Sequence, residues 1–75
     1  MEQIKELVLK GKTLLELGNL EEALGHFEQA LLLNQNDPEL WNFKAVTLRS
    51  LGRYEEALEC FNKSLEIDPR DKHAS

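Results

Sequence analysis

The chain has 75 residues and a formal charge of −5, from fourteen acidic and nine basic side chains. Nucleic-acid recognition neutralises phosphates with Lys and Arg, and no basic cluster or stripe is present, so nucleic acid is not an expected partner. Apolar runs such as Ala30 to Leu33 fall far short of a membrane span, Met1-Glu2-Gln3 opens without the basic and apolar stretches of a secretory leader, and the single Cys60 has no internal disulfide partner, so a reducing, cytoplasmic setting away from membranes is expected.

In chain order, Leu7, Gly11, Leu14, Leu15 and Gly18 recur at three- and four-residue steps with Lys and Glu between them, which predicts a helix near 3–17. Gly18 stands where a helix ends in the left-handed conformation that only glycine enters cheaply. Asn19 is placed to cap the next helix, with Glu22 three residues on as a loose capping box. Ala23, Leu24, Phe27, Ala30 and Leu31 then trace one apolar stripe, predicting a helix near 21–34. Asn34-Gln35-Asn36-Asp37-Pro38 breaks it. Asp37 is a good N-cap, and Pro38 at the first helical position loses no useful donor. A third stripe, Leu40, Trp41, Ala45, Leu48 and Leu51, runs near 38–51 and stops at Gly52. Arg53 is a poor N-cap, so the fourth helix, near 55–68, relies on Glu55 and Glu56 at the positive end of its dipole. Ala57, Leu58, Phe61, Ser64 and Leu65 form its stripe, which Asp68-Pro69 closes. The short connections predict antiparallel neighbours. Small residues at Gly11, Ala23, Ala45 and Ala57 let paired helices approach closely.

The second half of the chain echoes the first. Residues 4–37 and 38–71 align without a gap and share twelve identities in thirty-four positions. Leu14, Leu17, Gly18, Ala23, Leu24, Phe27 and Leu31 return as Leu48, Leu51, Gly52, Ala57, Leu58, Phe61 and Leu65. A fixed period of this length marks a stacked repeat architecture, and moves the functional question from a pocket to a repeated surface.

The pattern resembles the tetratricopeptide repeat, a helix–turn–helix unit. In the second copy Trp41, Ala45, Leu48, Gly52, Tyr54, Ala57, Phe61, Ser64 and Pro69 stand at the family's pattern positions. The first copy has Leu7, Gly11, Leu14, Gly18, Leu20, Ala23, Phe27 and Ala30 there. It departs at Gln35, where the family usually has proline, and Lys10 and Lys44 replace a usual apolar residue. The resemblance implies an all-α fold: one domain over 1–75, with two units, about 4–37 and 38–71, stacked as a short right-handed α-solenoid.

Family members bind peptides or protein segments in a concave groove lined by the first helix of each unit. Carried over by position, the groove presents Lys5, Val8, Lys12 and Leu15 from the first unit, and Glu39, Asn42, Phe43, Val46 and Arg49 from the second. One subset of the family clamps the terminal carboxylate of chaperone tails. Its clamp positions here hold Val8, Lys12, Phe43 and His73, so that activity does not carry over. For Phe43 and Val46 two readings stay open, an anchor for an apolar peptide side chain or packing on a neighbouring helix or a sister molecule.

Catalytic and cofactor chemistry finds no foothold in the pattern. Glu21/Glu22 and Glu55/Glu56 sit at helix starts, where dipole compensation accounts for them. His26 and Cys60 occupy equivalent positions without the further ligands a metal needs. Gly18 and Gly52 are isolated helix terminators, not a phosphate loop. The expectation is a non-catalytic, cofactor-free interaction module inside a larger adaptor. The alternative is a structural unit whose uncapped ends pair with copies of itself, as a dimer or by helix exchange. Residues 72–75, after Asp71, read as a truncated tail or the opening of a third unit.

Overall fold

A computed structural model describes residues 2–69. The readings of Asp71, His73 and the 72–75 tail lie outside the described residues. Four helices follow one another: α1 (Glu2–Leu17), α2 (Leu20–Leu33), α3 (Pro38–Ser50) and α4 (Tyr54–Ile67). Each boundary lies within one residue of its predicted position, because the punctuating residues act as their chemistry requires. Gly18 and Gly52 adopt φ of 86° and 83°. Around Gly18, the Asn19 N–H donates to the Leu14 carbonyl and the Gly18 N–H to that of Leu15. The same pair of bonds recurs from Arg53 to Leu48 and from Gly52 to Arg49. These are Schellman ends, in which a left-handed residue folds the chain back so that orphan carbonyls find donors.

The helix starts divide into expected and unexpected. Asp37 caps α3: its Oδ1 accepts the Glu39 N–H at 3.0 Å, with Pro38 leading the helix. Asn19 does not cap α2, since its side chain accepts no helix N–H. The Schellman turn uses the Asn19 backbone instead, and the start of α2 is left to Glu21 and Glu22. Arg53 reaches forward over the first turn of α4, its guanidinium donating to both Glu56 oxygens at 2.8 and 2.9 Å. That pairing raises the Arg53 pKa and lowers that of Glu56.

Helices pack as consecutive pairs, α1 on α2 and α3 on α4, with α3 also laid against α2. The result is two helix–turn–helix units stacked as a short α-solenoid. Two apolar clusters hold it. One gathers Leu24, Ala45, Leu48, Ala57 and Cys60, flanked by Trp41, Leu51 and Phe61. The other gathers Ala30, Leu31 and Leu40, flanked by Ile4, Leu7, Val8 and Trp41. Ser64 adds a polar tie, its hydroxyl donating to the Pro38 carbonyl at 3.0 Å between the end of α4 and the start of α3.

The α2 stripe is buried as predicted, while the α1 and α4 stripes are covered only in part. Gly11 is the buried member of the α1 stripe. On α4, Leu58 is 60% exposed, and Cys60, two residues on and so on the opposite flank of the helix, enters the core instead. Both differences have one cause: α2 and α3 have neighbours on two sides, whereas α1 and α4 are the outer helices of the stack.

The closest approach between α1 and α2 is set by Gly11. A Cβ there would lie 2.6 Å from Cε1 of Phe27, whose ring is fully buried and stacked on Phe43. Ala45 holds the equivalent place in the second unit, whose Phe61 is only half-buried. Gly11→Ala is therefore expected to lower stability by about 1 kcal/mol, overpacking outweighing the gain in helix propensity. Ala57→Leu, at a site 3% exposed, should cost on the order of 1–3 kcal/mol. Urea midpoints read both changes, and an unchanged midpoint for Ala57→Leu would mean that α3 and α4 do not meet there.

Candidate functional site

The groove expected from the repeat pattern would run between α1 and α3, the first helices of the two units. A cavity of about 350 Å³ opens there, lined by Ile4, Lys5, Val8, Leu9 and Lys12 from α1, and by Asp37, Glu39 and Leu40 at the start of α3. Four of the predicted groove residues, Lys5, Val8, Lys12 and Glu39, thus share one recess. Its floor is apolar because Val8 and Leu40 belong to the Ala30–Leu31 cluster. Its lining carries both signs, with Lys5 and Lys12 on α1 and Asp37 and Glu39 at the start of α3. Ile4, Leu9, Asp37 and Leu40 were not anticipated as lining residues. Asp37 reads in sequence as a cap, which it also is, and nothing in its spacing marks a second use.

The other predicted residues lie further along. Phe43 is half-buried and its ring stacks on Phe27, centroids 5.3 Å apart at an interplanar angle of 11°. Of the two readings of Phe43, packing between helices is the one this geometry supports. Lys12 Nζ stands 5.4 Å from the Phe43 centroid, a cation–π contact that joins α1 to α3 across the groove. Asn42, Val46 and Leu15 are half-buried and do not line the recess. Arg49 turns away from it: its guanidinium lies over the Phe61 ring, 5.8 Å from the centroid, toward the outer side of α4.

A second depression runs along the side where α2 and α4 flank α3. A cavity of about 680 Å³ borders α2 and one of about 260 Å³ borders α4, sharing Trp41 and Lys44 as floor. Much of its polar chemistry is already spoken for. Trp41 Nε1 donates to the Gln35 carbonyl at 2.8 Å, and Lys44 Nζ stands 3.5 Å from Glu28 Oε2 and 5.6 Å from the Trp41 ring. These contacts account for one departure from the expected pattern: Lys44 is held by a carboxylate and an indole. The bond at position 35 uses the backbone carbonyl, which proline would supply equally, so it does not account for Gln35.

His26 and Cys60 remain structural. His26 Nδ1 lies 2.9 Å from the Glu22 carbonyl one turn back. Burial pushes the Cys60 thiol above its ordinary pKa, with Lys44 drawing it the other way. Among the described residues, no group of three or more His, Cys, Asp or Glu could hold a metal ion, and no helix is long and apolar enough to cross a membrane.

Two helix–turn–helix units of one pattern, closed by matching glycine turns and stacked through α2 and α3, define a helical repeat protein. The tetratricopeptide repeat family matches residues 8–72, and the chain belongs to that family. Repeats of this family generally mediate protein–protein interaction. No curated protein matches the chain.

The raised thiol pKa sets a chemical expectation. The folded chain holds the Cys60 proton to higher pH than the unfolded chain, so this contribution to stability is intact below the ordinary thiol pKa and is lost as pH rises through the folded value. Alkylation of Cys60 should accordingly be slower in the folded chain than in urea at equal pH, because the thiolate is the nucleophile. Equal rates in the two states, followed by mass spectrometry, would contradict the burial.

Proposed function

We propose that the chain is a non-catalytic binding module that takes an extended peptide or protein segment along the concave face between α1 and α3. One observation carries this reading. The recess there has an apolar floor at Val8 and Leu40 and a lining of both signs, with Lys5 and Lys12 on α1 and Asp37 and Glu39 at the start of α3. Such a site suits a segment that offers an apolar side chain to the floor and carries both an acidic and a basic group. Asn42 and Val46, half-buried further along α3, extend the contact surface. The free thiol of Cys60 fits a cytoplasmic adaptor, where thiols stay reduced.

The groove reading is tested with exposed charges, and because reversal of Lys12 also removes its cation–π contact with Phe43, urea midpoints are measured alongside binding. Lys5 and Lys12 are exposed, so Lys5→Glu and Lys12→Glu leave the clusters untouched. Against a ligand selected from a peptide library, each reversal is expected to weaken binding about tenfold, roughly 1.4 kcal/mol. Chemical shifts of a labelled chain should move at Val8, Lys12, Asn42 and Val46. Shifts confined to the Trp41–Lys44 depression on the other side would defeat the proposal. Phe43→Ala is a poor probe, because it removes a ring that Phe27 packs on.

A further inference from the structure

We infer that the two ends of this chain are the two halves of one interface, so that α1 of one copy docks on α4 of the next in the register in which α3 docks on α2. The internal repeat supplies the template. On α2, the residues that receive α3 include Leu24, Phe27 and Leu31, exposed by 7%, 0% and 5%. Thirty-four positions on, the same residue types stand on α4 as Leu58, Phe61 and Leu65. There Leu58 is 60% exposed and the other two are half-buried.

The complementary half is at the other end. Thr47, Leu48 and Leu51 on and just after α3 return as Thr13, Leu14 and Leu17 on α1. Thr13 and Thr47 are a built-in control. Each hydroxyl donates to the carbonyl four residues back, at 3.0 and 2.8 Å, so their local structure is the same. Thr47 is fully buried, whereas Thr13 is exposed. Leu17 is 70% exposed where Leu51 is half-buried. At all six positions identity is kept and only burial differs, always in the direction of a missing neighbour. The occupant that fits both patches is therefore a second copy of the chain.

The substituted positions predict a joint weaker than the internal one. Leu9, 65% exposed, replaces Phe43 against the phenylalanine ring, so the aromatic stack is lost. Asn62 replaces Glu28, so Lys10 finds no counterpart of the Lys44–Glu28 pair. Glu6 replaces the buried Leu40. Because the patches differ, the contact is heterologous, and such a contact grows into open chains unless its rotation closes a ring.

The experiment uses the 75-residue chain in sedimentation velocity from micromolar to millimolar concentration. The wild type should pass from monomer to species larger than a dimer. Leu17→Lys blocks the α1 end and Leu58→Lys the α4 end, both at exposed sites. Each alone should stay monomeric, while their equimolar mixture should form a heterodimer that grows no further, since one competent end of each kind remains. Helicity by circular dichroism checks that the variants fold, and Leu9→Lys and Leu58→Gln repeat the two blocks with different side chains. A wild type that is monomeric at millimolar concentration overturns the inference. So does a singly blocked variant that dimerises alone, which would mean that like ends pair, or a mixture that stays monomeric. The groove charges Lys5 and Lys12 lie outside both patches, and Leu17 and Leu58 lie outside the recess, whereas Leu9 belongs to both, so peptide binding and end-to-end association are separated with Lys5→Glu, Leu17→Lys and Leu58→Lys.

Discussion

Phe27 is where three helices meet. Its ring comes from α2, lies close over Gly11 of α1, and is stacked by Phe43 of α3. The first contact draws the first pair together, because glycine leaves the room a methyl would fill. The second ties that pair to the next. Lys12 then leans over Phe43 from α1. The core and the recess are in this way linked through one ring: Phe43 lies outside the recess but is in contact with Lys12, which lines it.

Much of this was legible in the sequence, and the reasons are local. Gly18 and Gly52 mark helix ends because few other residues tolerate a positive φ. Asp37-Pro38 announces a helix start by chemistry that needs no distant partner. The α2 stripe reads correctly because both its sides are packed. What could not be read depends on through-space neighbours. Leu58 and Leu24 are the same residue in the same local pattern, yet one is exposed and the other buried, since α2 is packed by both α1 and α3 and α4 by α3 alone. Asn19 looks like a cap and is not one, because the Schellman turn before it fixes its backbone first.

The groove shows the same division. Position within the unit names Lys5, Val8, Lys12 and Glu39, and these four line one recess. It could not show that Arg49 turns toward Phe61, or that Phe43 is spent on Phe27, because those choices depend on side-chain partners across helices. Nor could it show that the cap residue Asp37 also lines the recess.

Trp41 carries one more consequence. Its indole N–H is bonded to the Gln35 carbonyl, in the turn that joins the two units, and its ring borders both apolar clusters. It is the single tryptophan of the chain, while the one tyrosine, Tyr54, is largely exposed on α4. Fluorescence of this protein is thus an optical gauge placed at the seam. Parting of the two units would wet the indole and redden its emission even while every helix kept its backbone hydrogen bonds, so loss of stacking and loss of helicity are separable signals in a single unfolding experiment.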